Sequence, residues 1–139
     1  MNHKNEQLRL KTTLDKETVE NLMKIAEDKG EYFSRVKKIK THQIRNFYGA
    51  VNQLKLDYDR SKKNDSDFNQ VWEKFNRELV LLKPKLAYAK GRNGEVGPFT
   101  KFMTQVIDLT LEAQQKDKAL ENFFELVQAV VAYHKFYGD

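Results

Sequence analysis

The residues best suited to chemistry in this chain are cations, and they fall in two groups. Lys37, Lys38, Lys40, His42 and Arg45 form the first; Lys83, Lys85, Lys90 and Arg92 form the second. Lysines just before a helix N-terminus add charge where unpaired N–H groups already favour an anion. An arginine one turn inside presents a planar fork of donors that matches a phosphate. His42 can stack on a base, touch a phosphate or face water. Further along the same helix stand amides, at Asn46, Asn52 and Gln53. Such a face makes contacts more often than the lysine and glutamate of a solvated surface. Gly49, one turn after Arg45, permits close approach or serves helix packing. In the second group small and apolar residues alternate with the cations. Leu86 and Ala89 can anchor a short helix while Lys85 and Arg92 stay exposed. Tyr88 can stack a base or pack inward, and packing is the expectation.

Other chemistry finds little support. His3 lies in a polar N-terminal stretch. His134 follows Val127 by seven residues, which places it on the apolar side of the last helix as a packed, hydrogen-bonded histidine. No His-x-x-x-His pair offers a metal site, and a chain with no cysteine has neither a disulfide framework nor a thiolate zinc site. Asp57-Tyr58-Asp59 has the look of a metal-binding DxD. On a helix, however, residues two apart diverge by about 200° and cannot share an ion. Gly91, Gly94 and Gly97 lack the Gly-Lys-Ser/Thr of a phosphate loop, and no serine sits in a nucleophile elbow. No catalytic residue, metal or cofactor is expected.

The charge is uneven. Residues 1–34 carry six basic and seven acidic groups, residues 35–92 fifteen and six, and residues 93–139 four and seven, for a total of +5. The surplus sits in the middle, where 32–56 and 79–94 contain no acid at all. Ten cations in those two stretches, the nine above without His42 plus Arg35 and Lys55, are expected to come close enough on folding to form a track. A basic middle with acidic flanks suits a polyanion. With 139 residues, 40% of them hydrophobic, the chain can bury a core without staples. It has no apolar run long enough to span a membrane and no secretory h-region, so a soluble cytoplasmic protein is expected.

Apolar spacing of three and four dictates helices nearly throughout. Asp15 is expected to cap a first helix that Gly30 stops near Lys29. Residues 31–40 read as a short helix or an irregular connection. Thr41 is expected to cap a helix to about Arg60, and Asp65 or Ser66 one to about Lys83. Pro84 opens a short helix to Lys90, Gly91–Gly97 is a loop, Pro98 opens another helix, and the last runs from about Asp117 to Phe136. The fold class is therefore all-α, a single small bundle of five to six helices over 13–139, with residues 1–12 a tail that has little to bury.

Both basic segments carry a resemblance. Thr41-His42-Gln43-Ile44-Arg45-Asn46-Phe47 resembles the Thr/Ser-x-Gln-Ile-Arg-x-Phe helix start of the small helical subunit of type III-A CRISPR (Csm) effector complexes. Leu82-Lys83-Pro84-Lys85-Leu86-Ala87-Tyr88-Ala89-Lys90-Gly91-Arg92 is similar to that family's Leu-x-Pro-Lys-Leu-Ala-Tyr-x-x-Gly-Arg motif. The resemblance implies a non-catalytic subunit of an antiviral ribonucleoprotein. Its copies would stack beside a backbone of repeated subunits that holds the guide RNA, together they would form a groove for the target RNA, and the large subunit would be a further partner. Carried over by position, Arg45, Lys83, Lys85 and Arg92 are the RNA-facing candidates. Lys90 stands where the family more often has smaller residues. Lys37, Lys38, Lys40 and His42 join them on charge and placement alone. Two other readings stay open at this point: a helical DNA-binding regulator and a protein-only adaptor. Against the first, the stretch from Gly30 to Thr41 is long for the turn of a helix-turn-helix.

Overall fold

The computed structural model describes residues 9–64 and 67–138. Among them are five α-helices and no strand: α1 Val19–Glu31, α2 Thr41–Lys63, α3 Phe68–Arg92, α4 Gly97–Leu111 and α5 Lys116–Gly138. A 3₁₀ turn, Leu14–Lys16, precedes α1, and another, Gly94–Val96, precedes α4. A π-helical segment, Tyr32–Val36, prolongs α1. The all-α bundle is thus as expected. No helix among the described residues is long and apolar enough to cross a membrane. Residues 1–8, with His3, lie outside the described residues, but Leu10 of the expected tail is buried in the core.

The centre of the bundle is α5. It buries a broad face, from Ala119 and Leu120 through Phe123, Phe124, Leu126, Val127 and Val130 to His134, and leaves one stripe, Lys118, Glu121, Glu125, Ala132 and Lys135, in water. An apolar face that wide must be covered from more than one direction. Here α1 lies along it, and α2, α4 and the first 3₁₀ turn also pack on it. By contrast α3 packs on α2 and α4.

Several local expectations are overturned by these tertiary contacts. Gly30 is not a stop but a buried position in the last turn of α1. A Cβ there would lie 2.5 Å from the Cβ of Tyr133 and 2.8 Å from the backbone nitrogen of His134. Glycine is present because two helix backbones touch, and the chain continues helically past it. The stretch from Gly30 to Thr41 is therefore mostly helix, and only residues 37–40 connect. Even so, α1 packs along α5 rather than on α2, so the two do not form a helix-turn-helix unit.

Thr18, not Asp15, caps α1, its Oγ1 accepting the N–H of Asn21 at 3.1 Å. Asp15 works at the other end of the chain. Its Oδ2 accepts the Gln115 N–H at 3.0 Å at the entry to α5, and its Oδ1 accepts the Thr13 hydroxyl at 2.7 Å. Nearby, Asn122 donates to the Leu14 carbonyl at 2.8 Å. Lys40 rather than Thr41 caps α2, and Asp67 caps α3, with Asn69 N–H donating to its carboxylate at 3.1 Å. Asp65 and Ser66 lie outside the described residues.

Pro84 does not open a new helix. It sits within α3, which runs unbroken to Arg92. The proline removes the N–H that would pair with the Val80 carbonyl. Both residues are exposed, so water can take that carbonyl. Burial of Leu79, Leu82 and Leu86 on the opposite face holds the helix together across the gap.

Two expectations follow. Gly30→Ala forces the α1 and α5 backbones apart and should cost about 1–3 kcal/mol, read as a lower urea midpoint at unchanged slope. Burial raises the pKa of Asp15, but the Thr13 hydroxyl and the Gln115 N–H outweigh it, so the net shift is downward. A carboxylate whose folded pKa lies below its unfolded value, about 3.9, stabilises the fold above that pH and loses the effect as pH falls through the folded value. The stability gap between the wild type and Asp15→Asn should be full at neutral pH and close below about pH 4, measured by urea unfolding at a series of pH values.

Candidate nucleic-acid interface

The first turn of α2 is built by one side chain that works in two directions. Gln43 Oε1 accepts the Lys40 N–H at 2.9 Å, while the Gln43 N–H reaches the Lys40 carbonyl at 3.0 Å. This is the reciprocal half of a capping box. The same amide donates through Nε2 to Glu95 Oε2 at 2.7 Å, tying the helix start to the turn that follows α3. That hydrogen bond holds the Glu95 carboxyl below the usual carboxylate range. Ile44 and Phe47 go to the core, and Arg45 and Asn46 go to solvent.

The approach to α2 is fixed from α5. Lys38 adopts a left-handed conformation, φ 57°, and the turn closes with Ile39 N–H on the Phe33 carbonyl at 2.9 Å. The Ile39 carbonyl in turn lies 2.6 Å from His134 Nε2. A carbonyl only accepts, so Nε2 carries the proton. The expected packed histidine thus anchors the basic connection.

On the facing helix, Lys85, Tyr88 and Arg92 are spaced by three and four and stand on one exposed side of α3, with Leu82 and Leu86 buried beneath. Tyr88 does not pack inward. It is 65% exposed, and the Arg92 guanidinium carbon lies 5.9 Å from its ring centroid. The turn of α3 that buries Leu82 and Leu86 directs residue 88 outward. Between α2 and α3 lies a cleft of about 230 Å³, lined by His42, Asn46, Lys85, Tyr88 and Arg92 above a floor that includes Phe47 and Phe99. Phe47 and Phe99 meet edge to face at 5.7 Å, a favoured aromatic packing.

The structure brings some of the ten cations together and disperses others. Arg35, Lys38 and Lys40 line a second cleft, against Tyr137 of α5. At the start of α2, Thr41 lines this second cleft and His42 the first. Arg45 is exposed on α2 and does not line the first cleft. Lys37 extends over the Tyr32 ring, 5.6 Å from its centroid. Lys90 is exposed, with its alkyl stem against Gly97. Three cations are engaged by carboxylates: Arg35 by Glu31 at 3.1 Å, Lys55 by Asp59 at 3.0 Å, and Lys83 by Asp108 of α4. Lys83 is therefore directed toward α4 and away from the Lys85–Arg92 face. Among the described residues Lys38, Lys40, Arg45, Lys85, Lys90 and Arg92 make no ion pair with a carboxylate. No group of three metal-ligating side chains is arranged to hold an ion among those residues. Asp57 meets Arg60 and Lys74, both at 3.8 Å, while the Tyr58 hydroxyl between the two aspartates donates to Glu121 at 3.0 Å.

Asn46 and Tyr88, which the sequence already marks as contact residues, line the cleft, and so does Asn93, which neither charge nor motif marks. The usable signal was spacing: residues 85, 88 and 92 share a helix face, and 42 and 46 share another.

Comparison with known proteins relates the chain to one family. A family model described as Csm2 Type III-A matches residues 16–139. The curated "CRISPR system Cms protein Csm2" of Enterococcus italicus is 31% identical over 103 residues, covering 71% of this chain and 69% of that protein. No solved structure matches.

Removing the bridging amide should show both of its roles. Gln43→Ala is expected to cost about 1 kcal/mol of stability, as loss of a helix cap does. It should also move the Glu95 pKa upward, read from carboxyl chemical shifts in an NMR titration.

Proposed function

The chain belongs to the type III-A Csm2 family, and from that premise we propose that it lines the RNA groove of the complex through phosphate contacts. It is a small subunit of a type III-A Csm CRISPR complex. In this reading it is non-catalytic and works in the cytoplasm in antiviral defence. Its partners are guide and target RNA, the backbone and large subunits, and further copies of itself. The observation that carries the reading is the Lys85–Arg92 face of α3 opposite the capped start of α2, two motif segments far apart in the chain that share one cleft.

The physics fits the role. Guide–target pairing reads the sequence, so the protein needs contacts that ignore it. Lys85, Arg92 and Arg45 are exposed, and Arg92 starts from a defined position over Tyr88, which lowers the entropy lost on binding. The Lys38–Lys40 connection, held by His134, extends the same charge along the strand. A single copy touches few phosphates, and neighbouring copies on one RNA raise retention through effective concentration.

About four phosphates per copy should give a slope of log K against log salt near −3 for single-stranded RNA. In Lys85→Ala/Arg92→Ala that slope should flatten by roughly 0.7 for each phosphate no longer neutralised. Target RNA retention by the assembled complex should fall while the circular dichroism spectrum stays unchanged. Full RNA retention in this variant and in Arg45→Ala/Lys85→Ala would overturn the reading. Sequencing of RNA recovered with a tagged copy should return short uniform guides.

A further inference from the structure

We propose that the cleft between the start of α2 and the end of α3 seats one unstacked nucleobase of the bound strand, with Tyr88 as its stacking platform. This rests on the RNA-groove reading above and adds a base contact to the phosphate contacts.

A phosphate track needs only exposed cations, yet this site holds more. A tyrosine ring 65% exposed leaves apolar surface in water that a lysine or glutamate would not. Arg92 lies over the ring and leaves much of it uncovered. Base–aromatic stacking uses such a free face, and a guanidinium beside it strengthens the platform. Beneath the mouth, the floor of Phe47, Leu86 and Phe99 is apolar. Around the rim stand His42, Asn46 and Asn93. A nucleobase has this division of chemistry, with apolar faces and an edge of donors and acceptors. Amides can donate or accept, so they serve any base.

Size and charge agree. A cleft of about 230 Å³ is smaller than the roughly 300–1,000 Å³ of a site for a drug-sized ligand, and suits one flat ring system. Lys85 and Arg92 supply positive charge on the α3 side. At the turn that follows α3 the exposed Glu95 carboxylate, held by Gln43 Nε2, repels phosphate. The strand therefore sits with its backbone over the exposed cations and a base turned inward. Stacking tolerates every base, which suits a protein that leaves sequence to the guide.

The test uses the full chain, a labelled single-stranded RNA and the same strand made abasic, with binding followed by anisotropy over a salt series. Tyr88→Ala should weaken binding of the native strand roughly 5- to 100-fold, the effect of one stacked base. Its salt slope should stay at the wild-type value, because every phosphate remains neutralised. Tyr88→Phe should restore binding. The abasic strand should bind the wild type as weakly as the native strand binds Tyr88→Ala, and should be indifferent to that substitution. Equal binding of native and abasic strands, wild-type affinity in Tyr88→Ala, or a slope flattened as in Lys85→Ala would each overturn the base seat. If Lys85→Ala still flattens the slope in those cases, the phosphate track stands and only the base seat falls. If Lys85→Ala and Tyr88→Ala both leave binding untouched, both readings fall.

Discussion

The close approach of α1 to α5 at Gly30 is the constraint on which the rest of the molecule depends. With no side chain at that position, the two backbones come within the distance of a Cβ contact at Tyr133. Because α5 is held there, His134 reaches the Ile39 carbonyl. Because Ile39 is held, the left-handed turn at Lys38 has a fixed end and α2 a fixed start. Gln43 then carries the register across to Glu95 and the end of α3. A packing event in the core thus sets the position of surface charges several residues removed from it. This is the usual way a close-packed interior transmits geometry.

The cleft that results combines two kinds of demand. Cations must stay in water, so Lys85 and Arg92 leave the bundle on the face opposite Leu82 and Leu86. The aromatic floor must be dry, so Phe47 and Phe99 meet beneath them. Both come from the periodicity of the helices, since residues three and four apart share a face. Pro84 within α3 shows the same balance, because burial on one side holds a helix that lacks a hydrogen bond on the other. Ion pairing sorts the remaining cations. Lys83, Lys55 and Arg35 neutralise carboxylates of the fold, and they are less available to a strand than Lys85, Arg45 or Lys40.

Much of this was legible in the order of the residues. Apolar spacing indicated the helical class and an apolar face of α2 at Ile44, Phe47, Tyr48, Val51, Leu54 and Tyr58, all of which are buried except Tyr48, which is half-buried. Two motif segments indicated the family. The errors share one cause, which is that local signals were given local meanings. Gly30 resembles a helix stop, but it is a contact point between helices. Asp15 resembles a cap for the helix beside it, but it caps the entry to a helix about 100 residues away. Pro84 resembles a helix start, but burial on either side outweighs the missing N–H. Lys38 takes a left-handed turn, a role glycine or asparagine would have announced.

Residue order by itself determined that this is a helical, cysteine-free chain with a basic middle, because periodicity, composition and charge are properties of the string. The tertiary structure alone decided which cations share a cleft, that Lys83 faces Asp108, and that Tyr88 points to solvent. Those outcomes depend on how helices far apart in sequence cross and which carboxylates they bring near. No pattern within one segment encodes the position of another.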